Sequence, residues 1–262
     1  MALHAQLEQY FRARGRVLVA FSGGVDSAVL AVVAHRALGD RMLAVTGDSA
    51  SIPSRERAAA REFCVAHAIP HRFLATREFD RAEYRATRGD RCYFCKQALF
   101  AELERLREGG GFAWIAEGTN RSDVGGHRPG LRAAAERPRV ISPYLDLGFT
   151  KEDVRAVARA LELAIAEKPA NACLASRIPV GTCVEPADLR RVDAAENALR
   201  DLGFAHVRVR HHGALARIEV PVEVIARCVE QRDAIVAAFR ALGYAQVTID
   251  LAGYRLGGGI HA

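Results

Sequence analysis

A chain of 262 residues, half hydrophobic and about a quarter charged, reads as a soluble globular protein with room for one large domain or two moderate ones. No apolar run reaches membrane-spanning length, and Met1–Glu8 lacks the charged start and apolar core of a signal peptide, so a cytosolic protein is expected, with its six cysteines present as thiols or ligands rather than disulfides. The net charge of +6, largely arginine, favours phosphate-bearing partners without separating a nucleotide from RNA.

Leu3 to Arg14 reads as a leading helix and Val17–Phe21 as a first strand. The strand runs straight into Ser22-Gly23-Gly24-Val25-Asp26-Ser27, and a helix continues to Leu38. Small residues between strand and helix let the backbone approach a phosphate, and the first helical turn aims unpaired N–H groups and the positive end of its dipole at that anion. Ser22 and Ser27 add hydroxyl donors. Neither the lysine of a Walker loop nor the spacing of a dinucleotide fingerprint is present. Met42–Thr46 is a second apolar run, ending in Gly47-Asp48-Ser49, and the strand–helix–strand order predicts a parallel sheet. A helix over 54–68, a strand over His71–Ala75, a helix over Tyr93–Leu106 that opens inside Cys92-x-x-Cys95, and a strand over Ala113–Ala116 that ends in Glu117-Gly118-Thr119-Asn120 continue the alternation. Such a doubly wound α/β sheet binds ligands beyond its strand C-termini, where Ser22 to Ser27, Asp48, Ser49, Glu117 and Asn120 all fall. Residues 121–139 read as a long polar loop.

In the second half, Thr150 and Asp153 form a capping-box pattern for a helix over Lys151–Leu163. Lys168-Pro169 breaks the pattern and suggests two domains, 1–166 and 167–262. From Ala187 the order is a helix over 187–202, strands Val207–His211 and Ala214–Val220, a helix Glu223–Leu242 and a strand Val247–Leu251, a second and smaller α/β unit. Glu196 falls on the apolar stripe of its helix, so it must meet a cation or a wet cleft. Arg208 and Arg210 alternate with Val207 and Val209, share one strand face and can clamp one phosphate.

Ser22–Ser27 matches every fixed position of the PP-loop, S-G-G-x-D-S, and resembles that of the ATP pyrophosphatases, which transfer AMP to a substrate oxygen and release pyrophosphate. Further segments narrow the field: Arg91-Cys92-Tyr93-Phe94-Cys95-Lys96, Glu117-Gly118-Thr119-Asn120, Lys168 to Pro179 with Ala172-Cys173-Leu174-Ala175-Ser176-Arg177, Val207 to Gly213, Ala216 to Val220, and Asp250 to Arg255. With them, residues 17 to 255 resemble the LarE family of ATP-dependent sulfur transferases. The resemblance implies an adenine nucleotide alpha hydrolase-like fold and an enzyme that adenylylates the carboxylates of pyridinium-3,5-biscarboxylic acid mononucleotide. It then converts them to thiocarboxylates, a step toward a nickel-pincer nucleotide cofactor. ATP and Mg²⁺ as cofactors and a homo-oligomer are implied as well. An alternative is a PP-loop enzyme that thiolates a tRNA base or modifies another acid; no RNA-binding domain or aromatic-interleaved basic tract is visible, so a small mononucleotide rather than a nucleic acid is the expected partner.

By that resemblance Ser22, Gly23, Gly24, Asp26, Ser27, Asp48, Ser49, Gly118 and Thr119 serve ATP, with Asp26 or Asp123 helping to place Mg²⁺. Ser176, Arg177, Glu196, Arg208, Arg210 and Arg255 serve the substrate. Cys173 is the expected nucleophile, because a soft thiolate can attack an acyl adenylate where an oxygen nucleophile only reverses the step, and Arg177 is expected to hold thiolate or phosphate charge. Two sulfur sources remain open. Cys173 can give up its own sulfur and be left as dehydroalanine, or Cys92, Cys95 and Cys173 can hold a [4Fe-4S] cluster whose open iron carries sulfide; Cys92 and Cys95, at i and i+3 of a helix start, face the same way. Zinc or redox use of the C-x-x-C is the remaining reading. Cys64 and Cys228 read as core residues, and Cys183 is undecided. The chain departs from the family pattern at Gly126-His127 and at Gly257-Gly258-Gly259, which leaves a related acid substrate open.

Overall fold

The protein is described by a computed structural model, which covers residues 2–86, 89–124, 129–169 and 172–254. It divides into two units, one of Met1–Ser49, Ser54–Arg81 and Asp90–Asn171, the other of Ala50–Pro53, Ala82–Gly89 and Ala172–Ala262. The first unit contains α1 (Leu3–Arg12), β1 (Val17–Ala20), α2 (Val25–Leu38), β2 (Met42–Asp48), α3 (Ser54–Ala66) and β3 (His71–Ala75). After α4 (Ala82–Arg85), which belongs to the second unit, it continues with α5 (Arg91–Gly110), β4 (Trp114–Ala116), α6 (Pro129–Ala135), β5 (Val140–Ile141), α7 (Pro143–Asp146) and α8 (Lys151–Ala160).

Its five strands form an all-parallel sheet in the order β3-β2-β1-β4-β5. The alternation of β1 explains why helices cover both faces: Val17 and Val19 pack with α1, α2 and α8 through Leu7, Phe11, Val29, Val33, Val154 and Val157. Leu18 packs on the other side with Phe100 and Leu103 of α5 and Ala133 of α6. The strand order reverses at β1, which opens a crevice beyond the C-terminal ends of β1 and β4. Helix α2 leads out of that crevice and is buried almost all round, Ala28 to Ala34 without a break.

Several elements go beyond what the sequence predicts, α4 and α7 among them. Within 121–139 the chain forms α6, and Ala133 and Ala134 bury against α5. The two-residue β5 then pairs with β4 and is too short to leave a periodic signal. The Thr150–Asp153 capping box is present, with the Thr150 side chain accepting from the Asp153 N–H and the Asp153 carboxylate accepting from the Thr150 N–H, 2.8 Å.

In the second unit, α9 (Pro186–Asp201) precedes β6 (Arg208–His212), which runs antiparallel to β7 (Leu215–Glu219). Strand β8 (Gln246–Ile249) then joins β7 in parallel. The single helix expected over 223–242 is two, α10 (Ile225–Glu230) and α11 (Arg232–Ala241), broken at Gln231, whose backbone sits at φ −93° and ψ 14°. Val209, Ala216 and Ile218 form the core face with Leu199, Ile235, Phe239 and Tyr244. Arg208, Arg210, Arg217 and Glu219 have the opposite strand parity. Ala50–Pro53 and Ala82–Gly89 are drawn into this unit by main-chain hydrogen bonds from Leu174 N to Ser51 O (2.8 Å) and from Val184 N to Arg85 O (2.9 Å), so a division at residue 166 is incomplete. Among the described residues no helix is long and apolar enough to cross a membrane.

Candidate active site

In the first unit, β1 delivers the chain to Ser22 and α2 takes it away at Val25, with Gly24 as N-cap. The Ser27 hydroxyl donates to Gly24 O at 3.0 Å and accepts from Ser22 N at 3.1 Å, so the turn is tied to the helix's first residues. Gly23 has φ +75°, and a Cβ there would meet Ala60 Cβ at 3.4 Å, which makes glycine the fitting residue. Gly118, after β4, approaches so closely that a Cβ would lie 3.0 Å from Asp26 Cβ and 3.4 Å from Ser27 N. The two strand ends therefore meet at the start of α2, where backbone N–H groups of a first helical turn suit a polyphosphate.

Asp26 does not stand free. Its Oδ2 accepts from Lys151 Nζ at 2.6 Å and its Oδ1 from Asn120 Nδ2 at 3.3 Å. The Tyr144 hydroxyl donates to Asp26 O at 2.8 Å; burial, and secondarily the Asp26 carboxylate, raise the Tyr144 pKa well above its ordinary value, so it stays a neutral donor. Lys168 Nζ donates to Gly23 O at 3.1 Å and to Glu56 at 2.6 Å. Two ammonium groups thus flank the turn, of which the Lys151 contact is not legible in the sequence: the capping box marks where α8 starts and not where its first side chain points. Asp123 accepts from Asn120 N at 3.1 Å in a capping box, which occupies it in shaping the turn after β4.

The other strand ends are equally engaged. Glu117 is buried, accepts from Thr119 Oγ1 at 2.6 Å and lies 3.6 Å from Lys96 Nζ. Asp48, closing β2, is held by Arg57 at 2.7 Å, and Ser49 follows it.

In the second unit, Cys173 is exposed and caps a 3₁₀ turn over Leu174–Arg177. Its carbonyl accepts from Ser176 Oγ at 2.8 Å and from Arg177 at 3.2 Å. Arg177 also donates to Ala172 O at 2.8 Å, and its Nε and other terminal nitrogen reach the two oxygens of Glu196 at 2.8 and 3.2 Å. Glu196 is fully buried and accepts further from Arg200 (3.0 Å) and Val209 N (3.1 Å). Arg177 and Glu196, expected at the substrate, are instead a buried pair that fastens the Cys173 turn to α9 and β6. The stripe position of Glu196 called for a cation or a wet cleft, and it has two cations, Arg177 and Arg200.

Arg208 and Arg210 do share one face of β6. Arg208 donates to Glu219 at 3.1 Å and lies over the Tyr254 ring at 4.4 Å. Arg210 donates to Glu219 at 2.8 Å and, through Nη1, to Ser176 O at 2.8 Å, linking the cationic strand to the Cys173 turn. Arg255, Gly126-His127 and Gly257–Gly259 lie outside the described residues.

Cys92 and Cys95 sit in the first turn of α5, in the first unit, and Cys173 in the second. Among the described residues no three His, Cys, Asp or Glu side chains are grouped so as to hold a metal ion. The three-thiolate cluster is therefore not supported. Cys64 and Cys228 are buried, and burial pushes the Cys64 thiol up to about 12, consistent with inert core residues. Cys183 is exposed and donates to Glu185 at 3.3 Å.

Comparison with known proteins agrees with this geometry. Residues 2–88 match the asparagine synthase family model, which spans the turn at Ser22–Ser27. An uncharacterized protein of Synechocystis is 39% identical over 253 residues, 96% of this chain and 94% of that one. The pyridinium-3,5-bisthiocarboxylic acid mononucleotide synthase of Lactiplantibacillus plantarum is 34% identical over 249 residues, 92% of this chain and 88% of that enzyme. A subunit of the glutamine-hydrolyzing GMP synthase of Methanocella arvoryzae matches a shorter stretch, 34% over 163 residues, 57% of this chain and 51% of that one. The resemblance thus holds over both units, and the chain belongs to the LarE family of PP-loop, ATP-dependent sulfur transferases.

Proposed function

We propose that the protein adenylylates the carboxylates of pyridinium-3,5-biscarboxylic acid mononucleotide, releases pyrophosphate, and converts them to thiocarboxylates with sulfur taken from Cys173. The observation that carries this reading is an exposed thiol on a turn latched to a strand bearing Arg208 and Arg210, in a chain similar along 92% of its length to an enzyme named for that product.

ATP binds at the turn of Ser22 to Ser27, with Gly118 and Thr119 opposite and Asp48 and Ser49 at the neighbouring strand end. Mg²⁺ at phosphates is usually held by one or two carboxylates together with the substrate rather than by a preformed cage, and Asp26 fits that role once Lys151 moves from its carboxylate to a phosphate oxygen. An ion held there by Asp26 would offset charge developing on the leaving pyrophosphate. Lys151 and Lys168 add to the same stabilisation.

The Cys173 thiolate then attacks the acyl carbon; a C–S bond forms and AMP leaves. Loss of the Cys173 α-proton to a base breaks the Cβ–S bond, leaving a thiocarboxylate on the product and dehydroalanine at position 173. Arg177 and Glu196 are positioning residues, because Arg177 holds the carbonyls of Ala172 and Cys173, Glu196 in turn holds Arg177, and both have little exposed surface to offer a substrate. Arg208, Arg210 and Arg255 take the mononucleotide phosphate. A cytosolic homo-oligomer belongs to the same reading.

Purified protein given ATP, Mg²⁺ and the mononucleotide should release pyrophosphate and form thiocarboxylate, whereas Cys173→Ser should release pyrophosphate and form none. Thiocarboxylate made by Cys173→Ser, or pyrophosphate release indifferent to the mononucleotide, overturns the proposal.

A further inference from the structure

Glu219 is the last residue of β7 and stands directly opposite Arg208 on β6, with Arg210 opposite Arg217. Strand parity puts all four on one sheet face. One nearly buried carboxylate gathers the three guanidiniums: Oε2 accepts from Arg208 at 3.1 Å, and Oε1 from Arg210 at 2.8 Å and more loosely from Arg217 at 3.4 Å. Arg217 also lies 3.6 Å from Asp250. Among the described residues three guanidiniums face two carboxylates, a net positive balance that attracts a phosphate.

A carboxylate beside an anion site acts in two opposite ways. Through space it repels the anion. Through its hydrogen bonds it fixes the forks of Arg208 and Arg210, so that their orientation is set before the anion arrives and less rotamer entropy is lost on binding. The distances favour the second effect, because each oxygen engages a different strand arginine at hydrogen-bond length. Arg210 extends the arrangement, since its Nε meets Glu219 while its Nη1 holds Ser176 O in the turn that carries Cys173.

We infer that Glu219 is a positioning residue of the phosphate site: it sets Arg208 and Arg210 for the substrate's phosphomonoester and, through Arg210, sets that phosphate relative to the Cys173 turn. The inference rests on the proposed role of the two arginines, and it fixes a sign that simple charge counting reverses. Removing a negative charge from an anion site should tighten binding; removing this one should weaken it.

The test titrates pyridinium-3,5-biscarboxylic acid mononucleotide, and separately ATP, into the full-length wild type, Glu219→Gln and Glu219→Asp, and records the arginine Nε–H signals of the ligand-free proteins by NMR. In Glu219→Gln the mononucleotide affinity should fall about tenfold or more, as when one partner of a buried charge pair is removed. ATP affinity should be unchanged, and the Arg208 and Arg210 Nε–H signals should broaden or move. Glu219→Asp, which keeps the charge and withdraws the carboxylate by one methylene, should fall in between and supplies the measurement if the glutamine variant does not fold. Unchanged or tighter mononucleotide binding by the variants, or Arg208 and Arg210 signals that ignore them, overturns the inference. A wild type that does not bind the mononucleotide overturns the substrate reading instead, and the arginine signals then still judge whether Glu219 holds the two side chains.

Discussion

Asp26 is held by Lys151 at 2.6 Å, Asn120 at 3.3 Å and, at its main-chain carbonyl, Tyr144. In the proposed reaction, a metal ion brought in with polyphosphate would replace Lys151 at this carboxylate and leave the ammonium to a phosphate oxygen. Asp26→Ala should therefore abolish pyrophosphate release while leaving the fold intact, because the side chain is partly exposed and contributes charge stabilisation rather than core packing. A circular-dichroism spectrum like that of the wild type together with absent pyrophosphate is the expected pair of results; near-normal release by a folded variant removes Asp26 from the site. The residue types at this end were legible because the phosphate-binding turn is written in consecutive positions. Lys151 and Tyr144 were not, since they reach Asp26 from more than a hundred residues away.

Element by element, the second unit shows how a strand converts sequence alternation into a charged face. Val209 and His211 take one face of β6 and Arg208 and Arg210 the other, and the shared face of the two arginines was read from spacing. What spacing could not supply was the partner strand's register, and with it Glu219. Periodicity likewise placed Glu196 on the buried stripe of α9 without revealing that Arg177, distant along the chain, answers it. Because that pair is buried, Glu196→Ala should destabilise the second unit by about 3–5 kcal/mol, the usual result of leaving one member of a buried pair uncompensated. Denaturant unfolding measures it, and a change under about 1 kcal/mol, the scale of an exposed pair, contradicts the assignment. Arg208→Ala with Arg210→Ala should weaken mononucleotide binding and leave ATP binding little changed; equal loss of both ligands means that β6 has a purely structural part.

Over the whole molecule, the two units respond to acid through different histidines. His211 is buried, with its ring near the Tyr244 hydroxyl (3.1 Å) and Asp188 (3.4 Å), and desolvation outweighs Asp188 to lower its pKa from the usual value. His212, with Arg217 and Arg210 adding to desolvation, is lowered as well. His71 of the first unit is also lowered, by burial and then Arg61. A histidine whose folded pKa is depressed binds fewer protons folded than unfolded, so its contribution is present at neutral pH and is lost as pH falls below about 6.5 toward the folded pKa. Stability should therefore drop on acidification in that window, and His211→Gln should flatten part of the slope. An unfolding free energy independent of pH between about 7 and 5 contradicts this. At this scale the doubly wound sheet was legible, because apolar strands and helices alternate regularly. The inclusion of Ala50–Pro53 and Ala82–Gly89 in the second unit was not, since it depends on main-chain hydrogen bonds that no residue type announces.

Consumption of Cys173 as the sulfur donor is the central claim, and the mass of the Cys173 peptide after a single turnover tests it most directly. Protein incubated with ATP, Mg²⁺ and the mononucleotide should lose the mass of one hydrogen sulfide at residue 173, in proportion to the thiocarboxylate formed and at no other cysteine. Thiocarboxylate formed while Cys173 keeps its full mass would contradict the claim and move the sulfur source elsewhere.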